Sequence, residues 1–134
     1  MRQEDYMKLF HAIGITPDGM LKMSQSIPDL VETSSNIAYI KTETNQIIIY
    51  SSQRSSIEAE KEEVLDNVEE IFTSIKATVK QHAKYPGWEP NVESPILAVA
   101  KKVYENTFHK KLLVKAIHAG LECGLLGSKY PHLD

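Results

Sequence analysis

The chain is 134 residues long, with 42% hydrophobic residues and a formal net charge of −3. That composition leaves room for one ordinary domain with a buried core and excludes a charged, disordered tail. Acidic and basic residues are interspersed, so nothing marks a nucleic-acid-binding face. The apolar runs fall far short of the ~20 residues needed to span a bilayer. The start MRQEDYMKLF lacks the apolar stretch of a secretory signal. A soluble, cytoplasmic chain with neither nucleic-acid nor membrane partners is therefore expected. Its single cysteine, Cys123, cannot form an internal disulfide and fits a reducing compartment.

Taken in order, residues 1–13 carry Tyr6, Leu9, Phe10 and Ile13 at helical spacing, and the pattern stops at Gly14 before the turn residues Thr16-Pro17-Asp18-Gly19. From Met20 to Leu30 the apolar positions are irregular, and Pro28 interrupts any simple element. Asn36 to Thr42 and Gln46 to Ser52 are rich in β-branched and aromatic residues, and Glu43-Thr44-Asn45 has the length of a hairpin loop. Ile47, Ile48 and Ile49 run on without alternation, the pattern of a strand covered on both faces. Ser55-Ser56-Ile57-Glu58 fits a capping box opening a helix, with an apolar stripe of Val64, Val68, Ile71, Phe72 and Ile75. The acidic run Glu58 to Glu63 sits where the helix dipole favours it and reads as a solvated face.

Thr78 to Ala83 resembles a weak strand. Tyr85-Pro86-Gly87-Trp88-Glu89-Pro90 follows, a linker composition with an aromatic anchor in it. Ser94 and Pro95 make an N-cap and first-turn pair for a second amphipathic helix marked by Ile96, Val99, Ala100, Val103, Tyr104 and Thr107. His109-Lys110-Lys111 gives that helix a cationic end. Leu112 to Ile117 then reads as a strand feeding a glycine-bearing loop, Ile117 to Gly124. The expected fold class is α+β: a small antiparallel sheet with helices packed on one face, followed by a helix-strand-loop segment of an incomplete second unit with uncovered apolar faces.

Chemistry-bearing residues concentrate in that last loop. His118 and Glu122 are four apart with Cys123 adjacent, a spacing that allows a zinc site, but no second ligand cluster accompanies them. A hydrogen-bonded histidine that orders the loop is the better reading of His118. Cys123 reads as a small core residue, since no base for a thiol nucleophile is evident. Gly120 lets backbone approach a ligand closely. Arg54 lies between the hairpin and the capped helix, where a guanidinium can fork onto a carboxylate, although pairing with a nearby glutamate is the simpler use of it.

The stretches YPGWEPNVESP and AIHAGLECGLLGSKYPHLD, with LVETSSNIA and IIIYSSQRSS upstream in the same order, resemble bacterial aminoacyl-histidine dipeptidases, carnosinase-type zinc peptidases. The resemblance runs roughly from Gly19 to Asp134. It implies that residues 1–84 are the second half of a lid domain, 85–92 a linker, and 93–134 the returning segment of a catalytic domain. It also implies that Arg54, the Gly120 amide and His118 serve substrate binding, with Arg54 and Gly120 holding a dipeptide's carboxylate. The resemblance further implies that the family's two divalent metal ions, zinc in type, are held by a His-x-Asp segment, a Glu-Glu pair and a further aspartate upstream and by a His-Ser-Pro-Asp-Glu stretch downstream, all outside the part of the family that this sequence matches. No metal ligand and no catalytic residue is therefore expected here, and hydrolysis by this chain alone is not expected. The expected partners are a dipeptide substrate and the rest of the catalytic domain. A second class of function is an autonomous interaction module that forms a homodimer through its sheet edge.

Overall fold

The computed structural model describes residues 2–115, 118 and 122–134. Among them run helix α1 (Gln3–Ile15), strands β1 (Gly19–Met23), β2 (Val31–Thr42) and β3 (Ile47–Ser55), and helices α2 (Glu58–Ser74), α3 (Pro95–Phe108) and α4 (Glu122–Lys129). The three strands form one antiparallel sheet in the order β1-β2-β3, giving an α+β fold. β2 and β3 pair from Thr33 opposite Ser55 to Thr42 opposite Ile47, with one irregularity between Ile37 and Tyr39. The hairpin loop is closed by the Glu43 amide donating to the Gln46 carbonyl at 2.8 Å.

Both hairpin arms are longer than the propensity run indicates, because Thr33, Ser34 and Ser35 extend β2 with side chains that bond across the sheet. The Thr33 and Ser55 hydroxyls stand 2.9 Å apart, and Gln53 Nε2 donates to Ser35 Oγ at 3.2 Å. β1 occupies part of the stretch that sequence pattern leaves unassigned. Its register slips on either side of Lys22, which erases the alternation by which a strand is recognised. Lys22 nonetheless ties the sheet to α2, bridging Glu32 at 3.2 Å and bonding Glu60.

The core is small. Ala12 of α1 and Val68 and Phe72 of α2 are buried together, with Ile49, Ile71, Ile75 and Val79 packed against them. The expected α2 stripe therefore meets the sheet and α1. Ile47, Ile48 and Ile49 are all half-buried rather than covered on both faces, since β3 is an edge strand. The α2 boundary differs from the capping box read in the sequence: Ile57 is the N-cap residue, and its N–H donates to Ser55 Oγ at 3.0 Å. The Ser55 hydroxyl is thus used one residue early, and the Glu58 carboxylate is engaged elsewhere.

Residues 77–91 carry no regular secondary structure, so the strand expected over Thr78 to Ala83 is absent. Charged Lys80 and Lys84 and the positive φ of 54° at Ala83 interrupt extended pairing there. α3 begins as expected: Ser94 Oγ accepts from the Leu97 amide at 3.1 Å with Pro95 in the first turn, and the helix ends on His109 in the left-handed region with φ of 52°. Residues 111–115 form no strand, and the rest of the strand expected to end at Ile117 lies outside the described residues. From Glu122 to Lys129 the chain is helical, so Glu122 to Gly124 of the expected loop belong to α4.

Candidate functional site

The β2–β3 register sets Ser34 directly opposite Arg54. Facing residues on paired strands share one face of the sheet, so the hydroxyl and the guanidinium stem are near neighbours. Arg54 is the penultimate residue of β3, not a connector after the hairpin, and this fixes its backbone in a paired strand. Its side chain is exposed, and among the described residues it takes part in no salt bridge. The many glutamates around it are bonded to lysines instead, so the simpler pairing reading of Arg54 is not realised.

His118 reaches the same place from the far end of the chain. Its Nε2 lies 2.7 Å from Ser34 Oγ, a bond spanning 84 residues. Partial burial lowers the imidazole pKa from its usual 6.5, the positive charge of Arg54 lowers it further, and the Val31 carbonyl opposes both. At neutral pH the ring is therefore a neutral hydrogen-bonding group beside a fixed cation. Arg54 and His118 line one cavity of about 590 Å³ that runs past Ser55, Lys61, Lys84 and Trp88.

The cavity is also lined by the segment Tyr85 to Trp88, which is hydrogen-bonded to the start of α2. Lys61 Nζ donates to the Tyr85 carbonyl at 2.6 Å and to Glu58 Oε2 at 2.7 Å, and the Gly87 amide donates to the same Glu58 oxygen at 2.8 Å. A side chain at Gly87 is excluded, because a Cβ there falls 2.7 Å from the Ser56 carbonyl oxygen. Trp88 anchors the segment on its other side: a Cβ on buried Gly124 falls 3.3 Å from that of Trp88, so the helix-borne glycine serves close packing. The sequence marks the aromatic anchor correctly. It does not reveal Lys61, a lysine inside an acidic run whose partner lies 24 residues away.

Of the other candidates, Gly120 lies outside the described residues. Cys123 is exposed at the start of α4, which corrects its reading as a core residue: the helix turns Gly124, not the thiol, toward Trp88. His118, Glu122 and Cys123 do not assemble into a metal site. Among the described residues no group of three or more His, Cys, Asp or Glu is placed to hold a metal ion. No helix among them is long and apolar enough to cross a membrane.

The chain is 31% identical, over 132 residues, to the cytosol non-specific dipeptidase of Escherichia coli strain K12, which covers 98% of this chain and 27% of that enzyme. It superposes on the crystal structure of aminoacylhistidine dipeptidase from Vibrio alginolyticus with a TM-score of 0.91 and 32% identity, over 99% of this chain and 27% of that one. The chain is homologous to a segment of these dipeptidases. It spans about a quarter of their length, and no family model matches it. The resemblance read from YPGW and HAGLECG is thus met by two independent comparisons, one of sequence and one of backbone geometry.

Proposed function

We propose that this chain is part of a cytoplasmic metallodipeptidase that hydrolyses Xaa-His dipeptides, and that its own share is lid structure and capture of the substrate's carboxylate. The observation that carries the reading is the meeting of Arg54 and His118 at one cavity, from widely separated parts of the sequence. Arg54 supplies a permanent cation with a planar donor fork suited to a carboxylate. His118, kept neutral, adds a directional hydrogen-bonding group without a second charge to desolvate. Gly120 joins them on the strength of the resemblance, through its backbone amide.

In the parent enzyme two divalent metal ions would supply the Lewis acidity and the activated water for hydrolysis. The described residues of this chain do not fit such a centre, so their contribution is to hold and orient the dipeptide. Residues 1–84 then form the lid half, 85–92 the crossing, and 93–134 the returning catalytic segment. The exposed apolar residues of α3, among them Ile96, Val99 and Val103, fit as the face that the rest of the catalytic domain covers.

The test is Arg54→Ala in a full-length polypeptide containing this segment, assayed on Gly-His. Loss of a charged anchor costs about 1.5–3 kcal/mol, so kcat/KM is expected to fall roughly ten- to two-hundredfold. An unchanged kcat/KM removes Arg54 from the site.

A second reading has its own observation. β1 pairs only with residues of β2 from Val31 to Ser35, which leaves the β2 edge beyond them open. Tyr39 and Tyr50 stack at 4.4 Å on an exposed part of the hairpin. An interaction module dimerising through that edge would sediment as a dimer and lose the association on Ile40→Lys. A monomer at all concentrations rejects it.

A further inference from the structure

Lys61 is 5% exposed, unusual for a lysine, and it lies four residues past the α2 N-cap, outside the core cluster. An ammonium taken from water in this way needs partners, and the ones it has are specific. It bonds a main-chain carbonyl of the crossing segment and a carboxylate that in turn receives that segment's next-but-one residue, Gly87. Three hydrogen bonds close a ring: Lys61 to Tyr85 oxygen, along the chain to the Gly87 amide, onto Glu58, and back to Lys61. Nothing in the packing of α2 on the sheet requires this ring, since Val68 and Phe72 do that work further along the helix.

The Tyr85 to Trp88 segment has no secondary structure to hold it and stands between the sheet half and the α3–α4 half. It also lines the cavity that Arg54 and His118 share. We propose that Lys61 and Glu58 are positioning residues that lock the crossing segment onto the first turn of α2, and so set the shape of the cavity around Arg54 and His118. Lys61 neutralises Glu58 and caps Tyr85 at once, so the lock forms as a unit. Gly87 permits it, because any larger residue there meets the Ser56 carbonyl.

The lock is tested in the 134-residue chain by hydrogen exchange of the Gly87 amide, measured by NMR, with emission of Trp88, the only tryptophan, as a second probe. Lys61→Met keeps side-chain bulk and leaves the Glu58 acceptor in place. Gly87 exchange is expected to speed up at least tenfold and Trp88 emission to shift to the red, while the thermal unfolding transition of the chain persists. Glu58→Ala, which removes the acceptor, is expected to do the same. Unchanged Gly87 protection in Lys61→Met overturns the proposal. So does loss of the whole unfolding transition in both variants, because the pair would then support the fold and not the crossing.

The consequence for ligand rests on the reading of the cavity as a carboxylate site, and a separate arm addresses it by titrating Gly-His into both chains. Weaker binding to Lys61→Met than to wild type supports the positioning role; equal binding overturns that part of it. If wild type itself takes up no Gly-His, the cavity of this chain alone does not hold a dipeptide, the positioning role in binding is overturned for this chain, and the Gly87 exchange result still decides the lock.

Discussion

Helices α2 and α3 carry apolar stripes of the same kind, yet α2 buries Val68 and Phe72 while α3 buries no residue, with Val99 59% exposed. Periodicity shows that a helix has a face to cover; it does not say whether the covering element is present. In the sheet half the stripe finds β3 and α1. Beyond the crossing segment, α3 finds neither; its supports are the Ser94 cap, the Ile96 amide donating to Asp134 Oδ2 at 2.7 Å, and the packing of Tyr104 on Phe108, whose rings lie 4.8 Å apart.

The sharpest way to break this contrast is at Phe72. It is the largest side chain of the buried cluster, and truncating a buried phenylalanine removes both transfer free energy and packing. Phe72→Ala is expected to destabilise the chain by about 3 kcal/mol, at the low end for such changes because the core is small. Urea unfolding followed by circular dichroism measures it. A cost near zero would mean that the sheet half is no better packed than α3.

Ser94→Ala probes the other side. Loss of an N-cap hydroxyl is worth about 1 kcal/mol, and here it should fall on α3 alone. Helical signal is expected to drop by a few residues' worth, with the main urea transition unmoved. A shift of the main transition would show that α3 is coupled to the core after all.

What the sequence makes legible follows the same line. The α2 stripe, the hairpin and the Ser94–Pro95 start of α3 are local signals, each made by residues within a turn or two of one another. β1 escapes because its register slips around Lys22. α4 escapes because Gly120 and Gly124 read as loop, whereas Gly124 is there for close approach of Trp88. In the candidate site, Arg54 and His118 are identifiable by type and resemblance. Ser34 and Lys61 are not, because a serine in a β-rich run and a lysine in a charged helix look ordinary until partners 84 and 24 residues away are in place.

A smaller effect distinguishes the tie between the halves from the halves themselves. Burial, and the Arg54 charge after it, hold the His118 pKa below the 6.5 it has in the unfolded chain. Between those two values the unfolded chain binds more protons than the folded one, so stability falls with falling pH across that window and is level above it. Comparing urea midpoints at pH 7.5 and 5.5 should show a drop in wild type that is reduced in His118→Gln. Equal drops would remove His118 from the account and with it the Ser34 bond as a contributor to stability.

The smallest expected effect is at Val99. Its side chain lies on the α3 stripe but is largely in water, so Val99→Ser removes little buried surface and should change stability by no more than about 0.5 kcal/mol, against about 3 for Phe72→Ala. Both substitutions fall on the apolar stripe of an amphipathic helix, so the contrast between them shows how far burial, and not periodicity, sets the energetics of this chain. A cost above about 1 kcal/mol, several times that of an ordinary surface substitution, would mean that the stripe is covered in solution. Dilution would then separate the cases: a cost that vanishes at low protein concentration identifies a second copy as the cover, and one that persists places the cover within the chain.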